Sequence, residues 1–319
     1  MEFAWVGGLQ KGGDHYYRIQ GATFLPASSP EEQAMKTGTI LVTGATGHQG
    51  GAVARALLAG GHKTRAMTRK PDAEAARALA GKGAEVVRGD LDDAASLEKA
   101  LAGAWGVFAV QNTWEAGVEG EERQGVRLAE LAHRAGVQHY VYSSVASAHR
   151  RTGIPHFENK WRIEQAVRKL GFPSYAILRP VFFMENFQSP FFKPALDQGK
   201  LAVALRADTP LQMIAVDDIG AYGRLVFEQA ARFDARELDI AGDELTMPDA
   251  ARVLGAAMKK TIEFTPVPIE EVRKGSDDYA TMLEWFDRVG YDVHIRSRSR
   301  ECGIPPTRLE SWAAKARWS

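Results

Sequence analysis

The 319-residue chain is predicted to fold as an α/β protein, a doubly wound parallel sheet with a smaller mixed α+β unit behind it. Three observations predict this. Short β-branched or apolar runs alternate with segments of helical period from Thr39 to Pro180, and strands joined by helical crossovers pair in parallel with both faces covered. A glycine cluster lies between the first run and the first helix. After Pro180 the alternation stops.

The first strand is "TILVT" from Thr39; a glycine turn follows, then a helix marked by Val53, Leu57 and Leu58 at helical spacing. "KTRAMT" precedes a helix at 72–80, "AEVVRGD" one at 93–102, and "GVFAV" a long one at about 118–135. "HYVYSS" is the next strand, and "SYAILRP" closes the series after a helix at 157–170. Ligands are expected beyond the carboxyl ends of such strands. Beyond Pro180, "VFFMENFQSPFFKPALDQGK" is aromatic and proline-bearing, "LAVAL" and "LQMIAV" are short strands, and "DDIGAYGRLVFEQA" opens a helix with Asp217 as N-cap. "ELDIAG", "TMPDAARVLGAAM", "TIEFTPV" and the amphipathic "SDDYATMLEWFDRVGY" complete a smaller unit that closes over the crevice. The expected division is an extension at 1–34 ahead of a natural start at Met35, a nucleotide-binding domain at 35–180, and a substrate or partner domain at 181–319. Part of the large sheet is left open to completion from the second domain.

Forty basic and forty acidic residues cancel, which removes the field expected of a protein that binds nucleic acid directly. The single cysteine, Cys302, cannot close an internal disulfide, and no Cys/His cluster has metal-ligand spacing. No apolar run is long enough to span a bilayer, and the first twenty residues lack the pattern of a secretion signal. A cytoplasmic protein without membrane attachment, monomeric or dimeric, is the expectation. The basic run "HIRSRSR" (294–300) is expected to be a solvated loop, and His62, His133 and His139 are assigned no chemistry.

Gly44, Gly47 and Gly50 form G-x-x-G-x-x-G directly after a strand and at the mouth of a helix. Glycine supplies positive φ and bare backbone, and the helix start offers unpaired amides and partial positive charge to a pyrophosphate. The alternative is a turn whose glycines only let helix pack on sheet; the flanking strand and helix favour the phosphate reading. Gly44, Thr46, Gly47 and Gly50 are therefore candidate cofactor contacts. A site selective for NAD places a carboxylate at the end of the second strand, whereas one selective for NADP places arginine there. Here "TRAMTRK" has no carboxylate before Asp72, so Arg69 and Lys70 favour NADP(H) over NAD(H), unless they are merely a solvated strand end.

"VTGATGHQGGAVARALL", "AMTRKPDAEAARAL", "GAEVVRGDLDD", "HYVYSSV", "HFENKWRIEQAVR" and "ILRPVFFMENF", in that order from about Thr39 to Val272, resemble the NmrA-like family, an atypical branch of the short-chain dehydrogenase/reductases. The resemblance implies an NADP(H)-binding Rossmann domain with a small C-terminal domain. It places His48 and Gln49 over the phosphates, Asp90 and Leu91 near the adenine, and Gln111 and Asn112 beside the cofactor. Lys160 would hydrogen-bond the nicotinamide ribose, and Pro180, Phe182 and Phe183 would line the nicotinamide.

The wider superfamily uses Tyr-x-x-x-Lys, in which lysine lowers the pKa of a phenol one helical turn away. This chain has His156-x-x-x-Lys160, and Ser143 with Ser144 stands where a substrate-holding serine is expected. Either the His156 imidazole exchanges the proton at neutral pH, or it only starts the helix. Trp114, Trp161 and the Phe182, Phe183, Phe187, Phe191 and Phe192 cluster are candidates for roofing a flat substrate, although aromatic groups after a strand more often belong to the core. Two functions follow: an NADPH-dependent reductase of a quinone, enal or aromatic carbonyl, or a redox sensor that binds NADP(H) and acts through a protein partner.

Overall fold

The computed structural model describes residues 38–318, preceded by a short antiparallel pair, Arg18–Ile19 with Ala22–Thr23. Apart from that pair, the expected extension at 1–34 lies outside the described residues, as does Met35.

Strand and helix alternate as β1 (Thr39–Val42), α1 (His48–Ala59), β2 (Thr64–Thr68), α2 (Glu74–Ala80), β3 (Glu85–Arg88) and α3 (Ala94–Leu101). Then come β4 (Ala104–Ala109), α4 (Thr113–Arg134), β5 (His139–Ser143), α5 (Pro155–Leu170) and β6 (Ser174–Pro180). The main elements of the rest of the chain, short helices aside, are β7 (Phe182–Phe183), β8 (Lys200–Val203), β9 (Pro210–Ile214), α6 (Val216–Glu228), β10 (Arg236–Ile240), β11 (Asp243–Thr246), α7 (Met247–Met258), β12 (Glu263–Pro266), α8 (Asp277–Arg288) and α9 (Ile295–Cys302).

Seven strands form one parallel sheet in the order β10-β6-β5-β4-β1-β2-β3. Its edge strand β10 comes from beyond Pro180 and pairs with β6. The order reverses between β4 and β1, which opens a crevice at the carboxyl ends of these two strands. The doubly wound α/β class is thus observed, with smaller sheets β11-β9-β7 and β8-β12 beside it.

Strand alternation decides which side chains meet which helices. Ile40, Val42 and Phe108 pack with Val53 and Leu57 of α1 and Ile219 and Val226 of α6. Leu41 and Val107 pack in the other layer with Leu97, Leu128 and Ile163. Burying each such aliphatic side chain contributes roughly 1.5–3 kcal/mol. A Cβ on Gly220 would lie 2.8 Å from the Ala52 carbonyl oxygen, and one on Gly223 2.7 Å from Val53; glycine at both sites lets α6 close onto α1 and hold it against the sheet. A third core, including Phe187, Met213, Leu254 and Trp285, lies under the smaller sheets.

Four sequence expectations need correction or refinement. Asp217 does not cap α6: β9 passes directly into the helix, Ala215 occupies the N-cap, and the Val216 amide donates to Glu185 at 3.0–3.1 Å. "HIRSRSR" is not a loop, because Ile295 packs on the first core and Arg298 donates to the Asp239 carbonyl oxygen at 3.1 Å, holding α9 on the body. The long helix begins earlier than 118: α4 carries an extra turn from Thr113, broken from the rest at Gly117 (φ 72°, ψ 167°). Trp161, a candidate for roofing a substrate, is engaged within the fold. It lies under the Arg168 guanidinium, 4.7 Å from ring centroid to Cζ, beside a buried network in which Arg179 donates to Glu164 at 2.6 and 2.9 Å and to Glu237 at 2.6 Å.

Candidate functional site

The sequence-selected residues converge on the carboxyl edge of the sheet. The turn after β1 carries Gly44 at φ 56°, and α1 starts at His48 with Gly47 as its N-cap and no side-chain cap. The amides of the first helical turn are therefore available to an anion. A Cβ on Gly50 would lie 2.3 Å from the Thr43 carbonyl oxygen and 2.4 Å from that of Gly44, so only glycine lets the helix start so close to the turn. Thr46 Oγ1 lies 3.4 Å from Thr68 Oγ1, tying the turn to the end of β2.

Around this cradle, Arg69 and Lys70 are exposed just past β2. Asp90 and Leu91 follow β3; the Asp90 carboxylate accepts from the Asp92 amide at 3.0 Å, and the Leu91 carbonyl accepts from Arg127 at 2.9 Å. Gln111 follows β4, is buried, and neither polar atom of its amide has a partner. A buried amide without hydrogen bonds is costly unless a ligand completes it. Together with the open helix start and the glycine cradle, it makes these residues fit a bound dinucleotide. Asn112 Oδ1 caps the Trp114 turn by accepting from the Trp114 amide at 3.1 Å. Pro180 ends β6, where its carbonyl accepts from the Ala146 amide at 3.0 Å.

Phe182 and Phe183 are half-buried and divide between two cores: Phe182 packs 5.7 Å from Phe187 and 6.1 Å from Phe192, while Phe183 packs on the sheet layer. Phe187 and Phe192 are core residues, whereas Phe191 is 62% exposed.

The catalytic candidates form two linked clusters. Lys160 Nζ lies 2.5 Å from Glu121 Oε1, and Glu121 is fully buried. Glu121 also accepts from Thr113 and, at 3.0 Å, from Asn159. Burial alone would raise the Glu121 carboxyl, but Lys160 and the hydrogen bonds from Lys160, Thr113 and Asn159 outweigh it and hold the group below the usual glutamate range. One turn earlier on α5, His156 Nδ1 is hydrogen-bonded to Asp278 at the start of α8. Trp114 stands over His156 at 5.4 Å between centroids, and Tyr279 lies beside both Trp114 (6.2 Å) and Phe191 (5.4 Å). Ser143 Oγ donates to Gln49 Oε1 at 2.7 Å, so the candidate serine is bonded to the first turn of α1, whereas Ser144 Oγ is buried without a partner.

Sequence reasoning missed Glu121, Asp278, Tyr279 and Glu115. Tertiary contact alone singles out the first three. Glu115, three residues past Asn112 and so one turn on, was open to detection by helical spacing.

His62 bonds Glu228 at 3.1 Å and His139 bonds Ser174 at 2.8 Å. Burial lowers the His139 pKa to about 4, so it is neutral at physiological pH. His133 packs edge-on against Phe172 at 5.5 Å. Among the described residues no group of His, Cys, Asp and Glu is arranged to hold a metal, and no helix is long and apolar enough to cross a membrane.

A parallel sheet with a glycine turn at its switch point and an uncapped helix start beside it defines a Rossmann-type α/β protein. Residues 36–312 match the NmrA-like family, and the chain belongs to that family; the match reaches well past Val272. It is 31% identical over 286 residues to the NmrA-like family domain-containing oxidoreductase notA' of Aspergillus versicolor, covering 80% of each chain. It is 40% identical over 159 residues to the oxidoreductase FrzB of Cladobotryum sp., an alignment that covers 46% of this chain and about half (47%) of that relative. The Citrobacter sp. triphenylmethane reductase complexed with NADP(H) shares the fold at a TM-score of 0.72 and 21% identity, covering 87% of this chain and 99% of that one.

Proposed function

We propose that the protein binds NADP(H) in preference to NAD(H) and uses it to reduce a quinone, enal or aromatic carbonyl. The observation that carries this reading is the His156–Asp278 pair, one helical turn from Lys160, under Trp114 and beside the glycine-turn edge of the sheet. The oxidoreductase relatives and the NADP(H)-bound structural neighbour support it.

When bound, the reduced nicotinamide supplies the hydride. The chain supplies the rest. The first amides of α1 bind the pyrophosphate, Gln111 completes its hydrogen bonds on the cofactor, and Lys160, steadied by Glu121, holds the ribose. With the Nδ1 proton donated to the Asp278 carboxylate, His156 would act as the imidazolium, whose Nε2 proton passes to the oxygen of the substrate and leaves the neutral ring. Trp114, Phe191 and Tyr279 offer flat faces to a planar substrate and keep water from it. Asp278, Tyr279 and Phe191 all lie within 181–319, which gives that part of the chain its role on the substrate side.

Consumption of NADPH across a panel of quinones, enals and aromatic carbonyls tests this reading. His156→Ala is expected to lower kcat by about 100-fold or more with NADPH affinity unchanged, and Asp278→Asn to lower kcat in the same direction. Tight NADPH binding without turnover of any acceptor would reject the reductase and leave the redox-sensor function, acting through a protein partner.

Arg69→Ala is expected to reduce the NADPH-to-NADH affinity ratio roughly 10- to 150-fold, the loss of one charge-assisted hydrogen bond of ~1.5–3 kcal/mol. Calorimetric titration with both coenzymes reads the ratio, and an unchanged value removes Arg69 from the selectivity argument.

A further inference from the structure

The arginine assigned to the dinucleotide already has a counter-ion. Arg69 Nη2 lies 2.6 Å from Glu115 Oε2, and the other oxygen of the same carboxylate accepts from Asn112 Nδ2 at 3.3 Å. One acidic side chain thus engages two groups that the family resemblance or the strand-end rule gives to the cofactor. Glu115 sits on the single turn at 113–116, next to Trp114, the ring that stands over His156. Gly117 separates that turn from the body of α4 with a backbone conformation (φ 72°, ψ 167°) that only glycine adopts readily. The carbonyl of Asn112 accepts from the amides of Glu115 and Ala116 at 3.2 and 3.1 Å, which closes the turn; Thr113 anchors its start to Glu121, so Trp114 and Glu115 adjust between that anchor and Gly117.

The pair is built to be exchanged. Arg69 and Glu115 side chains are 63% and 57% exposed, and ion pairs so exposed hold their partners weakly. A ribose 2′-phosphate offers Arg69 a stronger, dianionic partner with bidentate geometry, and its charge repels the displaced carboxylate. A 2′-hydroxyl does neither.

We propose that Glu115 is a specificity and coupling residue: a 2′-phosphate takes Arg69 from Glu115, and the freed turn shifts Trp114 on its hinge at Gly117. The inference rests on the dinucleotide reading above. It makes the mouth over His156 respond to NADP(H) and not to NAD(H), because only the phosphate breaks the tie. Of the charged residues near Arg69 in the chain, Lys70 and Asp72 are both exposed; they would respectively assist and oppose the phosphate.

NADP+ and NAD+ differ only at the 2′ position and therefore isolate the effect. Amide hydrogen exchange over 113–118 is measured at saturation with each, alongside calorimetric affinities, for the wild type and Glu115→Gln. In the wild type, exchange over 113–118 should be faster with NADP+ than with NAD+. Glu115→Gln should equalise the two exchange rates and strengthen NADP+ binding by up to about fivefold, the release of one exposed ion pair, with NAD+ binding unchanged. Thermal unfolding of the variant matching the wild type confirms that it folds. Equal exchange with two bound dinucleotides, or an affinity ratio untouched by Glu115→Gln, overturns the inference and leaves the cofactor reading intact. No heat with either dinucleotide overturns both.

Discussion

Gly50→Ala is expected to abolish dinucleotide binding in a chain that still folds. The added Cβ would sit 2.3 and 2.4 Å from two backbone carbonyl oxygens, Thr43 and Gly44, and backbone cannot rotate away as a side chain can. The turn and α1 must separate, which carries the first helical amides off their aim. Losing two charge-assisted hydrogen bonds of ~1.5–3 kcal/mol each corresponds to at least about 100-fold in affinity. The accompanying strain costs ~1–3 kcal/mol of stability. Calorimetry with NADP+ reads the first effect and denaturant unfolding the second; wild-type affinity in the variant would show that the cradle is not the phosphate site.

The second large effect is on stability. Lys160→Met leaves Glu121 charged, fully buried and short of its cation, with only Thr113 and Asn159 as side-chain donors. Breaking one side of such a pair costs ~3–5 kcal/mol. Adding Glu121→Gln to Lys160→Met should recover part of the loss, since the stranded charge is then gone, and the four-member cycle in denaturant gives the coupling. A Lys160→Met chain as stable as the wild type would refute the pairing. The pH dependence follows from the sign of the Glu121 shift. Its carboxyl is held below the usual range in the fold, so its contribution is complete above the unfolded value and fades as pH falls through the folded one, on the acid side of the ordinary glutamate range. Glu121→Gln removes that acid-side loss. A kinetic defect in any Lys160 variant must therefore be separated from its loss of fold, which the Glu121 partner makes measurable.

Much of the fold was legible because its signals are local. Ile40 and Val42 alternate with Leu41 in a run too short and too β-branched for a helix, and the glycines after it demand a turn. The same is true of the glycine turn: Gly44, Gly47 and Gly50 follow a single strand to its carboxyl end, whereas Gln111 and Asn112 were placed beside the cofactor by the family resemblance. Where local signals failed, a distant residue had intervened. Asp217 has the chemistry of an N-cap, but Glu185 caps α6 instead. The arginines of "HIRSRSR" read as solvated, but Arg298 finds the Asp239 carbonyl oxygen across the sheet edge.

The amino-acid order by itself determined the alternating parallel architecture, the glycine turn at its switch point and the replacement of a phenol by His156 ahead of Lys160, since each depends on periodicity or spacing within one short segment. Only the tertiary structure decided what those side chains face: Asp278 on His156, Glu121 on Lys160, Glu115 on Arg69. The first of these partners lies more than a hundred residues from its mate (122) and the others about forty (46 and 39). No local pattern encodes such pairings, because the packing of α4 with the end of β2 and with α5, and of α5 with the start of α8, brings them together.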